Sequence, residues 1–508
     1  MKQKYMKKLL LLFLTLLLTG AVCGCEKEKE SEEKKDNVVN NQEEVQYEKP
    51  YEGNAAILPY GDKPYTSSYD DEAETLRQEI LELEDTKFET DVVYYISYKG
   101  DDFNDGLTPE TAWKTTTMLN VTPPNSTVLF ERGGVYRGNF KLASNVNYGA
   151  YGEGAKPCIY GSAKNYADDS LWRKHSDNVW KVRVENAIDV GNVVLNHGEY
   201  VAARVFNKNS LNRDYTYIYQ DEVVYMYCSQ GNPGQAFSDI EISDTVHVIT
   251  GPTGLENVTI ENLCIKYGAA HGIGFERNTK NITIRGCEIG YIGGGIPGGG
   301  AGSRYGNGIE FWMECENIVV EDCWVYQCYD AGITHQSGAY AVEKNINFDS
   351  NLVEYCQYNL EFFNQEGQTI NVTYSNNILR FAGYGVFDPK DRRGSNSSAT
   401  ANICLWWRLN PCENFVIKDN ILDTSYGYLI AGWHLNEAGK GPTVFGNAYV
   451  QQPQMATYYM DVDSTKIVPA ITKTADDKLY AAGSQSAMDI GVAAIDKSPK
   501  KVLFEKYE

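Results

Sequence analysis

Four carboxylates gather once the chain's repeating pattern is laid out: Glu310, Asp330, Glu361 and Asp388. Paired carboxylates can protonate a glycosidic oxygen, activate water or attack the anomeric carbon. Around them stand Trp312, Phe363, Trp406, Trp407 and Trp433, whose flat apolar faces suit stacking on sugar rings. Gln336 adds a neutral donor and acceptor. Arg304 and Lys390, with Arg392 and Arg393, offer cations that would hold an acidic sugar or simply lie in solvent. His335 is one of six histidines. Strand alternation puts it between Phe311 and Phe362 on the inner side, where a satisfied core histidine is the plainer reading beside a substrate contact.

A repeat must position these residues. ENLCIKYGAAHGIGF from Glu261, VEDCWVYQCYDAGITH from Val320 and FDSNLVEYCQYNLEFF from Phe348 share one plan, as do segments from Ile284, Tyr374 and Ile417. Each has a short β-branched strand, then Cys or Asn, an apolar pair, a small-residue turn and a second strand. The anchors are Cys264, Cys287, Cys323, Asn351, Asn377 and Asn420. A Val-, Ile- and Asn-rich repeat of roughly 22–28 residues without helical periodicity predicts a parallel β-solenoid. Stacked asparagines would share amide hydrogen bonds along its axis. Anchor to inner strand residue is nine positions for Cys264–Ile273, Asn351–Leu360, Asn377–Val386 and Asn420–Leu429, but ten for Cys323–Ile333. The count places an extra residue at or near Asp330, a device common beside active sites. Insertions Ile292–Gly308 and Pro389–Ile403 border the same strand row and would wall it.

Alternation then assigns faces. With Ile309, Ile333, Leu360 and Val386 inward, Glu310, Thr334, Glu361 and Phe387 form one outward column. Coils about 4.8 Å apart separate Glu310 and Glu361 by about 9–10 Å. That is near the upper edge for an inverting glycosidase pair. Asp330 enters the same face, and Asp388 ends the next strand. The bland alternative is a pair of solvated surface glutamates, or a Ca²⁺ site.

The chain has 508 residues with 46 basic and 68 acidic side chains, a formal charge of −22. A broad nucleic-acid-binding face is excluded by that balance. Lys2, Lys4, Lys7 and Lys8 precede the short apolar run Leu9–Val22, which reads as an export signal. Val22-Cys23-Gly24-Cys25 resembles a bacterial lipoprotein box with Cys25 lipidated, which would anchor the protein at the bacterial cell surface, outside the cytoplasmic membrane. Residues 26–60 read as a flexible tether, 61–91 as a short helical segment, 92–450 as the β-helix and 451–508 as C-terminal coils and cap. Within the helical segment, Thr66–Asp85 places Leu76, Ile80 and Leu83 on one face, expected to cover an end or edge of the solenoid. Ten further cysteines show no CxxC pair and read as buried thiols.

Two sets of strings carry a family resemblance. YYISYKGDDFNDGLTPETAWKT, STVLFERGGVYRGN and VNYGAYGEGAKPCIYGS resemble the opening coils of pectate-lyase-like right-handed β-helix proteins. CEIGYIGG, RYGNGIEFW, VYQCYDAGITHQ, LVEYCQYNLEFF and ILRFAGYGVFD resemble β-helix glycoside hydrolases, the lacto-N-biosidase type being the nearest group. The resemblance spans roughly Tyr94 to Trp433. It implies an all-β chain with a single right-handed parallel β-helix, and retaining hydrolysis by an aspartate pair. Asp330 matches one member; Asp322, the nearest upstream aspartate, falls in a turn beside Cys323, so the second is unmatched. The family also uses a helical accessory domain, sometimes a separate chain. The expectation is a surface lipoprotein glycoside hydrolase acting on host or dietary glycans, without an organic cofactor. A polysaccharide lyase would instead use Arg304 or Lys390 as base, with Ca²⁺ on the uronate. A non-catalytic glycan-binding lipoprotein is the third reading.

Overall fold

The computed structural model describes residues 46–51, 67, 69–300, 302–338, 340–387, 400–406, 412–432 and 442–451, and the strands Ala456–Asp461, Lys466–Ile467 and Lys478–Ala481. Cys25, Asp388, Lys390, Trp407 and Trp433 lie outside the described residues.

Each coil contributes one strand to each of three ten-stranded sheets, as in Glu256–Glu261, Cys264–Lys266 and His271–Phe275. Neighbouring coils pair in parallel, so one side chain stacks on its counterpart along the axis. Ile260, Ile284, Val320, Phe348, Tyr374 and Ile417 are one such inner column. The three sheets make a right-handed parallel β-helix whose core is these apolar columns. Paired strands continue past Val450 in Ala456–Asp461 and Lys478–Ala481.

Short strands need sharp corners, and the sequence supplies residues that tolerate a left-handed backbone. At or near the starts of the first sheet's strands, Asn145, Asn257, Asn281, Asn317, Asn345, Asn371 and Asn414 all take positive φ, 54–61°. Asparagine pays little for that conformation. Each side chain donates to the one a coil earlier, for example Asn345 Nδ2 to Asn317 Oδ1 at 2.8 Å. Between the first and second sheets runs a second, buried ladder of Asn351, Asn377, Asn420 and Asn447. Asn377 Oδ1 accepts from both Asn351 N (3.0 Å) and Asn351 Nδ2 (2.9 Å), so no amide is left unmet.

The register corrects the anchor count. Cys264 pairs with Glu288, so Leu263 is the residue aligned with Cys287, Cys323 and Asn351. The inner column runs Ile273, Ile309, Ile333, Leu360, Ile403, Ile430. Val386 and Phe387 are not in it; they belong to the insertion that separates Ile378–Ala382 from Ala401–Trp406. Ten positions is therefore the usual count, as Leu263–Ile273 and Asn420–Ile430 show, and Asp330's turn carries no extra residue. The coil after it is one residue short: Tyr326 to Ala331 is matched by Glu354 to Tyr358.

The helix Asp70–Leu81 covers neither an end nor an edge. It lies on the outer face of the second sheet, where Ala73 and Ile80 pack in one cluster with Tyr160, Cys264, Trp324 and Leu352. That face mixes aromatic and aliphatic side chains with buried ion pairs such as Lys266–Glu288, and both need a cover. Arg77 binds Glu354 (2.7 Å) with its guanidinium 4.9 Å from the Trp324 ring centroid. All ten described cysteines are buried free thiols.

A separate body interrupts the helix between Cys158–Tyr160 and His247–Gly251. It holds a five-stranded and a three-stranded sheet, largely antiparallel, around its own core of Trp172, Tyr217, Val224 and Met226. Its central hairpin turns at Asp221 and Glu222, both at positive φ. The sequence reading ran the coils through this stretch without a break.

Candidate active site

Three insertions leave the solenoid at the same corner, between the second and third sheets. They are the antiparallel body, the glycine-rich segment between Glu288–Ile292 and Asn307–Trp312, and the segment between Ile378–Ala382 and Ala401–Trp406. Asp330's short corner lies between the last two.

On that face two columns run side by side. Glu310, Thr334, Glu361 and Cys404 are in register, and so are Trp312, Gln336, Phe363 and Trp406. Alternate residues share a face, so the columns lie about 7 Å apart. The expected two-coil separation of Glu310 and Glu361 is what the register gives; Cys404 rather than Phe387 completes their column. Glu310, Asp330 and Glu361 are only 7%, 5% and 5% exposed, which removes the reading of solvated surface carboxylates. Trp312 is 36% exposed and lies at the open rim.

Each carboxylate is held. Glu361 accepts from Thr334 Oγ1 (3.0 Å) and Gln336 Nε2 (3.2 Å). Glu310 Oε2 is 2.9 Å from His271 Nε2. Asp330 is fixed by its backbone: its N–H donates to Gly306 O, and its carbonyl accepts from Gln357 N at 2.9 Å. Burial, and after it the charges of Glu361 and Asp330, push the neighbouring Cys404 thiol well above its ordinary range. Both carboxylates thus act on one point of the cleft floor. That floor is otherwise apolar, with Ala331, Tyr358, Ala401, Tyr428 and Ala431 in one cluster with Cys404.

Sequence alternation missed His247 and His271. It holds within each strand's second half but fails at its start. A Cβ on Gly308 would lie 2.6 Å from Val325 Cγ1, so Gly308 faces the core, as Ile309 after it does. The residue preceding such a pair faces outward, which brings His271 to Glu310. His247 stacks edge-on to His271, ring centroids 4.8 Å apart. It lies over Gly274, where a Cβ would be 2.0 Å from His247 Nδ1. Burial, then His271, lowers the His247 pKa to about 4, so its ring is neutral at neutral pH.

His335 is no substrate contact. It is fully buried inside the coil, with Nε2 2.7 Å from Tyr374 Oη and Nδ1 3.2 Å from Glu343 Oε1. Arg304 is buried in the wall rather than solvated: its Nε donates to Gly294 O (2.6 Å), and its guanidinium lies 4.5 Å from the Tyr329 ring centroid. Asp322 lies on the opposite side of the coil beside Arg285. Among the described residues no set of three or more His, Cys, Asp and Glu side chains is gathered for a metal ion.

No protein-family model matches the chain, and no curated protein does. Solved structures do. XylC in complex with xylose aligns at a TM-score of 0.47 and 13% identity, over 77% of this chain and 83% of that one. A GH136 lacto-N-biosidase from Eubacterium ramulus aligns at 0.37 and 15%, over 81% and 70%. Pectate lyase Pel9A aligns at 0.37 and 10%, over 79% and 83%. Likeness at these identities extends no further than the coiled architecture that the strand register establishes by itself.

Proposed function

We propose that this protein is a glycoside hydrolase whose cleft is the outer face of the third sheet. One observation carries the reading: three nearly buried carboxylates lie at the outer face of the third sheet, beside a column of three aromatic rings and Gln336. Sugar rings would stack along Trp312, Phe363 and Trp406, while the scissile bond crosses the carboxylate column. Glu361, oriented by Thr334 and Gln336, serves as nucleophile or base. Asp330 delivers the proton to the leaving oxygen. Glu310, bound to His271, is the alternative partner for Asp330 on the far side of Thr334.

The test is reducing-sugar release from milk-type, mucin-type and plant glycans by the wild type and by Asp330→Asn, Glu361→Gln and Glu310→Gln. Loss of one general acid or base is expected to lower kcat by about 10²–10⁴. With an activated leaving group, azide should rescue an alanine variant of the nucleophile as the inverted glycosyl azide and an alanine variant of the acid/base as the retained one, so the product's configuration assigns the two roles. Full activity in both Asp330→Asn and Glu361→Gln would sink the assignment. An unsaturated, ultraviolet-absorbing product would replace hydrolysis by elimination.

A further inference from the structure

A half-open cavity of about 250 Å³ lies where the three insertions leave the solenoid. Ala203, Arg204, Arg213 and Tyr215 line it from the antiparallel body, Arg304 from the glycine-rich segment and Phe387 from the third insertion. Roughly 300–1,000 Å³ is usual for drug-sized ligands, so the cavity suits a single sugar unit. It adjoins the cleft through Tyr329, which precedes Asp330, stacks on Arg304 and meets Phe387 edge-on at 5.6 Å.

Three guanidinium groups converge there in a molecule of formal charge −22. Arg204 is neutralised by Asp189, with two bonds of 2.7 Å. Asp214, the carboxylate in the lining, is turned to Ser229, accepting from its N and Oγ at 2.6 Å each. Arg213 makes no ion pair among the described residues and is the guanidinium on which an anion site here rests, while Arg304 is engaged by Gly294 and Tyr329. Phe206, 65% exposed, stands within 5.6 Å of the Arg304 guanidinium at the mouth. The chemistry is that of a planar anion on a sugar ring: forked donors for a carboxylate and an aromatic face for the ring.

We propose that this cavity is a subsite for a carboxylate-bearing sugar, a uronic or a sialic acid, at one end of the glycan. The proposal rests on the cleft being where the glycan lies. It makes the insertions, not the solenoid, the determinant of substrate class.

Binding, read without turnover, tests it. Full-length Asp330→Asn protein is titrated with glucuronic acid, N-acetylneuraminic acid and glucose, followed by ligand-observed NMR. At least one acid is expected to bind about tenfold tighter than glucose, and high salt should erase the difference. Which acid binds tighter identifies the source. Arg213→Ala and Arg304→Gln are each expected to lose about tenfold for the acid and nothing for glucose, with Arg213→Lys intermediate. Arg213 is exposed, so its variant stays informative if Arg304→Gln fails to fold. Equal binding of acid and glucose, or indifference to Arg213→Ala, overturns the subsite even if hydrolysis holds. Acid binding in a protein with no hydrolysis keeps the subsite and removes the hydrolase reading.

Discussion

Gly274 carries no side chain because His247 occupies the space above it. The neutral ring stacked there has a consequence for stability. In the unfolded chain His247 titrates near 6.5; in the fold, burial and His271 lower it to about 4. Above pH 6.5 neither state holds the proton. Between 6.5 and 4 the unfolded chain takes it up and the folded chain does not, so stability falls with pH, by about 3 kcal/mol in all. Below 4 the loss levels off. Glu310, Glu276 and His271 face the ring, the two carboxylates opposing the shift. His247→Asn should flatten urea-unfolding free energies over that window relative to wild type. An unchanged slope would mean the ring is solvated. The glycine at 274 was visible in the sequence, but its reason was not, since it depends on which residue of the preceding coil faces outward.

At the scale of the repeating element, the two asparagine ladders look alike in sequence and differ in what they do. Asn377 is fully buried and serves four polar groups: Asn351 N and Nδ2, Phe348 O and Asn420 Oδ1. Asn377→Ala strands them without water, and about 3 kcal/mol should be lost in chemical unfolding. Asn345 faces solvent and is chosen mainly for its φ of 56°. Asn345→Ala should cost about 1 kcal/mol and Asn345→Gly close to nothing. Equal losses for Asn377→Ala and Asn345→Gly would contradict this division. The buried ladder was legible because Asn stands before an apolar pair in three segments. The outer ladder was equally legible, at spacings of 24, 36, 28, 26 and 43, but its asparagines lie near the starts of strands, where no constant apolar pair follows to mark them. Thr334 and Glu361 were legible because their strands follow directly from short corners, and Glu310 because its strand Asn307–Trp312 keeps the same alternation after the glycine-rich insertion. The next coil was misread because its insertion begins with Tyr384-Gly385-Val386-Phe387, which imitates the strand it displaces. The antiparallel body stayed hidden because its Asp221-Glu222 turn lacks the glycine or asparagine that marks a hairpin.

For the molecule as a whole, the solenoid and the antiparallel body are two cores on one chain. The solenoid's core runs from Ile96 to Tyr449 and includes no residue between Ile159 and Val248. The body's core draws only on Tyr166 to Ile242. Their contacts are lateral: Val194 clusters with Tyr267 and Tyr291, and Arg137 binds Glu241 at 2.7 Å. An ordinary corner needs four residues, as Gln327–Asp330 between Tyr326 and Ala331 shows. Replacing residues 161–246 with four residues should therefore leave a folded β-helix with its far-ultraviolet circular dichroism intact. Its melting temperature should drop, because Tyr267 and Tyr291 lose the apolar cover of Val194 and Arg137 loses Glu241, though Glu48 remains beside it. The same variant should still bind glucose and lose its preference for glucuronic acid, since Arg204, Arg213 and Tyr215 leave with the body. An aggregated or unfolded product would show instead that the coils need this body to form. A folded product that still prefers the acid would place the anion site on the solenoid, beside Arg304.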